Sequence, residues 1–301
     1  MTLAVEFEDP CLAQDAAPGS QSVTNHVLQL DGTNSFVELP ADAFTNLDEV
    51  TVEGWIKWDG FQNFSRCFDF WLGDRRLRVE NWENKPDLAV AQNIGDIQAY
   101  IQIHGSLAAG QWTHVAVTST RTRLELFMDG VLVATNSSRL HSDTRAAEKR
   151  NLLGRSALLI GLESDPANFQ GQIGEVRVWK GARTELQIRV NMFKKLTGKE
   201  EGLAGLWNFT DGSANHASPA AHHGKLVGQA KIVEATLPTE ARLFRRAFVE
   251  VTLTEAGGPP PVGSWVAMEK DGLTVDSDEA DSFILATTAT WRETHWSGVC
   301  W

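Results

Sequence analysis

Leu124-Glu125-Leu126-Phe127-Met128, then Asp129-Gly130, then Val131-Leu132-Val133-Ala134 is a pair of apolar-rich runs joined by Asp-Gly. Asp and Gly tolerate the positive φ that a two-residue hairpin turn requires, and the twist of that turn suits the strands it joins. The stretch therefore predicts a β-hairpin, and much of the chain repeats its pattern. Val50-Thr51-Val52-Glu53-Gly54-Trp55-Ile56-Lys57-Trp58 reads as a long strand, with Val50, Val52 and Gly54 on one face and Thr51, Glu53, Trp55 and Lys57 on the other. Val27–Leu30 and Ser35–Leu39 flank Asp31-Gly32-Thr33-Asn34, a second hairpin signal. Further strands are predicted at Arg66–Trp71, Leu77–Val79, Gln98–Ile103, Trp112–Thr118, Leu158–Gly161, Gly171–Trp179, Leu203–Phe209, Lys225–Val227 and Ala230–Val233. About a dozen short strands at this spacing describe an antiparallel β-sandwich, not alternating β-α units.

One helix interrupts the pattern. Thr184-Glu185-Leu186-Gln187 is a capping box, after which Leu186, Val190 and Phe193 fall at helical spacing, Lys194 and Lys195 suit a last turn and Gly198 ends the run. This predicts a short helix packed as a lid on one edge of the sandwich. Residues 1–24, rich in Ala, Asp, Gln and Ser, read as a poorly structured leader. Residues 25–237 form the sandwich domain. Residues 238–301, with a Gly257-Gly258-Pro259-Pro260-Pro261 hinge and an acidic stretch from Asp276 to Asp281, read as an accessory or incomplete β-rich segment.

The 301 residues carry 27 Lys and Arg against 39 Asp and Glu, a formal charge of −12. A phosphate lattice repels such a surface, so nucleic acid is not an expected partner. No run approaches the roughly 18 apolar residues of a membrane span, so membrane insertion is not expected either. The N-terminus has Glu6, Glu8 and Asp9 where a secretory peptide has a basic start and an apolar run, so no signal peptide is visible and the compartment stays open. Cys11, Cys67 and Cys300 lie far apart, which leaves no thiolate zinc site and no dense disulfide framework. The aromatic inventory is skewed, with eleven Trp and fourteen Phe against one Tyr. Trp both fills sandwich cores and stacks on sugar rings, so the excess leaves structure and binding open.

The motif order resembles the laminin G-like, concanavalin A-like lectin-glucanase (pentraxin-like) jelly-roll family. The resemblance rests on Leu28–Gly32, Phe36–Pro40, Val52–Ile56, Gln111–Thr118, Leu126–Val133, Ile160-Gly161, Phe169–Trp179, Ala182-Arg183-Thr184 and Glu201–Phe209, all within residues 25–235. It implies an all-β, two-sheet antiparallel jelly-roll sandwich with one short helix, followed by the small β-rich C-terminal segment. It also implies a module that recognises a glycan or an extracellular protein, often with one calcium ion, at an extracellular or cell-surface location. After Ser65–Phe70 this chain has Trp71-Leu72-Gly73-Asp74 where the family usually carries Gly-Asn-Gly. The same sandwich also carries glycosidases and lyases.

A glycosidase needs two carboxylates across a cleft, and no Glu-x-Asp-x-x-Glu run exists; Asp276-x-Asp278-Glu279 is the nearest cluster. The expected function is therefore non-catalytic: carbohydrate binding by Trp stacking and polar contacts, with a protein-interaction module as the alternative. Trp55, Trp112, Trp179 and Trp207 coincide with framework positions of the family and are expected in the core. Trp58, Trp71 and Trp82 do not, and with Asp69, Asp74, Arg75, Arg78 and Asn81 nearby they are the candidate ligand surface, or else further filling for the core. If the first and late strands are neighbours, as the resemblance implies, Asp31, Glu175 and Asp211 are the candidate calcium ligands. The competing reading makes Asp31 and Asp211 turn formers and pairs Glu175 with Arg177 or a Lys. His216, His222 and His223 read as loop histidines, with a metal cluster as the alternative, and His114 as a satisfied core histidine. Sequons stand at Asn63, Asn136 and Asn208.

Overall fold

The computed structural model describes residues 24–45, 47–72, 75–94, 97–137, 150–156, 167–217 and 222–239, together with five short strands outside those ranges. In chain order the strands begin with β1 (Leu3–Val5), β2 (Thr24–Asp31), β3 (Phe36–Leu39), β4 (Val50–Trp58), β5 (Arg66–Leu72), β6 (Arg75–Asn81) and β7 (Leu88–Ile94). They continue with β8 (Ile97–Ile103), β9 (Trp112–Ser119), β10 (Leu124–Met128), β11 (Val131–Asn136), β12 (Asn151–Leu153) and β13 (Gln170–Lys180). After helix α1 (Glu185–Asn191) come β14 (Leu203–Trp207), β15 (Lys225–Val227), β16 (Lys231–Thr236), β17 (Phe248–Leu253), β18 (Ala267–Glu269), β19 (Gly272–Thr274) and β20 (Trp296–Val299).

Two compact units result, one of Gln21–Arg242 and one of Met1–Ser20 with Leu243–Trp301. In the smaller unit β17 pairs with β1 on one side and β20 on the other, and β18 pairs with β19. The larger unit is a two-sheet antiparallel jelly-roll sandwich. One sheet has eight strands in the order β11-β10-β9-β4-β13-β2-β16, with β14 also paired to β13; the other has seven in the order β15-β3-β12-β5-β6-β7-β8.

Alternation builds the core between the sheets. Val50, Val52, Ile56 and Trp58 of β4 meet Phe68, Phe70 and Leu72 of β5 and Leu77 and Val79 of β6 in one continuous cluster. Phe44 lies 5.1 Å from Phe70 and 6.0 Å edge-on to Trp207, both measured between ring centroids. Edge-on aromatic pairs add roughly 0.5–1.5 kcal/mol each beyond the area they bury. The Asp129-Gly130 hairpin forms as expected: φ is 45° and 78°, and Met128 faces Val131 across it.

Three expectations are corrected. Asp31–Asn34 is not a hairpin turn within one sheet, because β2 belongs to the eight-stranded sheet and β3 to the seven-stranded one. Leu28, Leu30, Val37 and Leu39 all point into the same core, so the turn is a corner that carries the chain across the sandwich. The inward side of α1 carries Ile188, which packs with Ala116 and Phe127, while Leu186 and Val190 are 70% and 48% exposed. Trp55 and Trp179 are buried, but on the outer side of the eight-stranded sheet, beneath α1 and the segment after it; Trp207 alone of the four framework tryptophans fills the interior, and Trp112 is only partly buried. The Leu158–Gly161 strand lies outside the described residues.

Candidate functional site

Strand register maps the face of the seven-stranded sheet that turns away from the core. Asp69 of β5, Arg78 of β6, Ala91 of β7 and Tyr100 of β8 form one row, and Arg66, Glu80, Ala89 and Gln102 form the next. At the β5–β6 end this face is buried and ionic. Arg76 Nε donates to Asp69 at 2.7 Å and its Nη2 to the other Asp69 oxygen at 2.5 Å, while Arg66 Nε donates to Glu80 at 2.6 Å. Arg66 also donates to Ser156. Charge-assisted pairs of this kind lock side chains in place, and breaking one partner leaves a costly buried charge.

The β6–β8 end differs in character. Trp82 follows β6 and reaches across β7 to Tyr100, because β7 places the small Ala89 and Ala91 opposite Glu80 and Arg78 on that face. Their ring centroids are 5.3 Å apart, and Phe64 stands 4.8 Å behind Trp82. All three rings are partly exposed. Phe64 and Glu83 both have positive φ, at 49° and 50°. Asn81 holds that geometry, since its Nδ2 donates to the Gln62 and Glu83 carbonyls and its Oδ1 accepts from Ser65.

A polar chain runs alongside the rings. Tyr100 Oη donates to Gln102 Oε1 at 2.8 Å, and Gln102 Nε2 to Asp87 Oδ2 at 2.9 Å. His104 Nδ1 donates to the same oxygen at 2.8 Å, and the Gly105 amide to Oδ1 at 2.8 Å. Burial works against the Asp87 charge, yet the bonds from Gly105, His104 and Gln102 outweigh it and hold the carboxyl below its ordinary range. Burial, with the charges of Glu80 and Asp87, pushes the Tyr100 phenol up, so it stays a donor. The ensemble offers apolar ring surface beside a fixed amide and a His side chain that is 70% exposed, both anchored by the buried Asp87 carboxylate.

The candidate ligand residues scatter over this frame. Trp82 lies at the open end, and Asp69 and Arg78 lie on the same face. Asn81 is a buried staple, and Trp71 is buried. Asp69, Asn81 and Trp71 are therefore closed to a ligand, and two more candidates need correction. Trp58 has no exposed surface and meets Phe169 edge-on inside the core, and Arg75 is a buried clamp donating to the Leu47 and Asp48 carbonyls. Asp74 lies outside the described residues. Sequence reasoning missed Tyr100, Gln102, Arg66, Arg76 and Glu80. The signal was present in Gln98-x-Tyr100-x-Gln102-x-His104 and Arg76-x-Arg78-x-Glu80-x-Trp82, two strands with polar groups at every second position.

The calcium residues do not assemble. Asp31 accepts from the Thr33 and Ser35 amides and from the Ser35 hydroxyl; burial opposes its charge, but these bonds hold its pKa at about 2. Asp211 closes a similar turn with Ser213 and Asn215. Glu175 is buried against Arg177 at 3.1 Å, a cation where a calcium ligand has none. Among the described residues no group of three His, Cys, Asp or Glu side chains is placed to hold a metal. His216 packs edge-on against Trp207 at 4.7 Å. Cys67 is buried and free, and burial pushes its thiol up.

A family model, Laminin_G_3, described as the concanavalin A-like lectin/glucanases superfamily, matches residues 31–189, more than half of the chain. The chain belongs to this superfamily. The superfamily match includes β3 through β13 and therefore the whole Trp82–Tyr100 site. Mouse pappalysin-1 is 35% identical over 199 residues, which is 60% of this chain but 12% of that protein. Among solved structures, a Bacteroides ovatus ATCC 8483 protein provisionally named as carbohydrate binding is similar, at a TM-score of 0.56 and 20% identity, over 72% of this chain and 62% of that one. The heptameric SAP-like pentraxin of Limulus polyphemus aligns at a TM-score of 0.48 and 14% identity, over 73% of this chain and 98% of that one. Among the described residues no helix is long and apolar enough to cross a membrane.

Proposed function

We propose that the chain is a non-catalytic recognition module that binds a carbohydrate at the Trp82–Tyr100 end of the seven-stranded sheet. The observation that carries this is the partly exposed ring pair, 5.3 Å apart, beside the fixed Gln102–Asp87–His104 chain. Sugar C–H faces stack on such rings while amides and carboxylates take the hydroxyls. Superfamily membership and the fold shared with the Bacteroides ovatus protein agree with the reading. The buried acids support a non-catalytic role: Glu53 and Glu175 both face Arg177, and Asp69 and Glu80 are tied to Arg76 and Arg66.

A glycan array probed with the full chain, with calcium and with chelator, tests this. Trp82→Ala and Tyr100→Ala should each weaken binding about ten-fold, near 1.4 kcal/mol. Trp71→Ala, whose ring is buried, should lower the melting temperature instead. Unchanged binding in both ring variants would sink the site. Loss of binding in chelator would revive calcium with ligands other than Asp31, Glu175 and Asp211. The exposed Leu186 and Val190, one turn apart on α1, favour a protein partner as the second reading; Leu186→Ser with Val190→Ser should abolish that contact and leave glycan binding intact.

A further inference from the structure

The structure treats the three sequons differently. Asn136 lies in β11, partly buried, with its Nδ2 donating to the Tyr100 carbonyl at 2.9 Å. Asn208 follows β14 between the buried Trp207 and Phe209, and its side chain accepts from the Thr210 amide at 3.3 Å. Asn63 is exposed in the turn region between β4 and β5, and among the described residues nothing hydrogen-bonds its side chain. A side chain that bears an oligosaccharide in the folded protein must reach open solvent, and of the three only Asn63 does so without giving up a contact.

The residues around Asn63 are tied inward. The Ser65 amide donates to the Gln62 carbonyl at 3.4 Å, which closes a reverse turn with Asn63 and Phe64 at its centre. Phe64 has a φ of +49°, a value that the third residue of such a turn takes and that usually selects Gly or Asn. Phenylalanine there is strained, so its surroundings must hold it. The Phe64 amide donates to the Glu83 carbonyl at 3.1 Å, the Gln62 carbonyl also accepts from Asn81 Nδ2 at 2.8 Å, and Gln62 Nε2 donates to Gln170 Oε1 at 3.2 Å. Ser65 is buried and its hydroxyl donates to Asn81. Phe61 packs against the interior and Phe64 against Trp82, yet both rings stay partly exposed. The turn is a fixed platform that carries one unbonded amide between two aromatic residues.

We propose that Asn63 is an N-glycosylation site and that its first sugar rests on the flanking Phe61 and Phe64 rings. The donor is a lipid-diphosphate-linked oligosaccharide. Asn63 Nδ2 forms a bond to the anomeric carbon, the bond from that carbon to the diphosphate oxygen breaks, the lipid diphosphate leaves with the electron pair, and the amide gives up one of its two protons. Transfer precedes closure of the turn, because Ser65, the third residue of the sequon, is buried afterwards. The apolar face of an N-acetylglucosamine then finds ring surface already in place. Such a glycan assigns the chain to a secretory route, on which its sequence is silent. The proposal does not depend on ligand binding at Trp82 and Tyr100, and its test reads occupancy and melting rather than binding.

The full chain is recovered from its own cells, its glycans are released enzymatically in heavy-oxygen water, and peptide mass spectrometry reads each sequon. Most copies should carry the heavy-oxygen aspartate at position 63. For the packing, the full chain secreted by a cultured eukaryotic line is trimmed by an endoglycosidase to single N-acetylglucosamine stumps and compared with Asn63→Gln treated alike; Asn63 makes no contact that the substitution removes. The trimmed wild type should melt about 2–4 °C higher, the shift that a modest gain in stability gives a domain of this size. Unmodified Asn63 in the protein from its own cells, or modification only at Asn136 or Asn208, would overturn the site. Equal melting of the trimmed wild type and Asn63→Gln would overturn the packing.

Discussion

Glu53 and His114 face one another beneath α1, with His114 Nε2 3.6 Å from Glu53 Oε2 and both side chains sealed from water. Trp179 Nε1 donates to the other Glu53 oxygen at 2.7 Å. Burial, then Arg177, pushes His114 down to about 3, so it is neutral across the physiological range. Burial also pushes the Glu53 carboxyl up, against the pull of Arg177 and Trp179. The two act on stability with opposite signs. Below the unfolded His value near 6.5, the unfolded chain takes a proton that the folded chain refuses. His114 therefore contributes a loss that grows from about pH 6.5 toward pH 3 and reaches several kcal/mol. Glu53 costs stability while ionised, and that cost is relieved as pH falls through its raised pKa. Replacing His114 removes the loss and leaves the relief. In urea unfolding followed from pH 7 to pH 4, the wild-type midpoint should fall steeply and the His114→Gln midpoint should fall less or rise. Parallel curves would mean that His114 already carries its proton in the folded state.

At the scale of elements, α1 shows what a local signal contains and what it lacks. The capping box was legible in Thr184-Glu185-Leu186-Gln187 and forms in both directions, Gln187 amide to Thr184 hydroxyl and Thr184 amide to Gln187 side chain. Which side packs was not legible, because Leu186, Val190 and Phe193 sit at a spacing as helical as that of Ile188 and Met192. The choice is made by Ala116 and Phe127 on the sheet below, which accept Ile188. Thr184→Ala should cost about 1 kcal/mol and Ile188→Ala about 2–5 kcal/mol, whereas Leu186→Ala should stay within about 0.5 kcal/mol; chemical denaturation of each variant measures all three. β7 escaped notice for a related reason. Two of its three outward positions, Ala89 and Ala91, are small and apolar, so Asn93 alone cannot mark a polar alternation, and those same small residues let Trp82 reach Tyr100. The site was half-legible on that account: Trp82 stands out by type, but Tyr100 and Gln102 gain their meaning only from a register that one strand does not encode.

For the whole molecule, the sandwich was readable because its core depends on alternation, which every strand carries for itself. Sheet membership was not, since Val27–Leu30 and Ser35–Leu39 look like one hairpin until both are seen to face a common core from opposite sheets. That core joins β2 to Ala214 without a break and includes residues of both sheets, among them Leu28, Val37, Trp58, Phe70, Val117, Phe169 and Trp207. Every strand of the two sheets lies within Gln21–Arg242. A continuous core of this size stabilises a unit on its own, and a single core unfolds as one. Residues 21–242 expressed alone should therefore give one cooperative thermal transition, with near-ultraviolet dichroism from the buried Trp58, Trp179 and Trp207 vanishing at the same temperature as the far-ultraviolet β signal. Separate transitions, or a fragment without fixed tryptophan dichroism, would show that the sandwich draws on residues outside those bounds. If the fragment folds and keeps the wild-type affinity for the glycans that the full chain binds, recognition belongs to the sandwich alone.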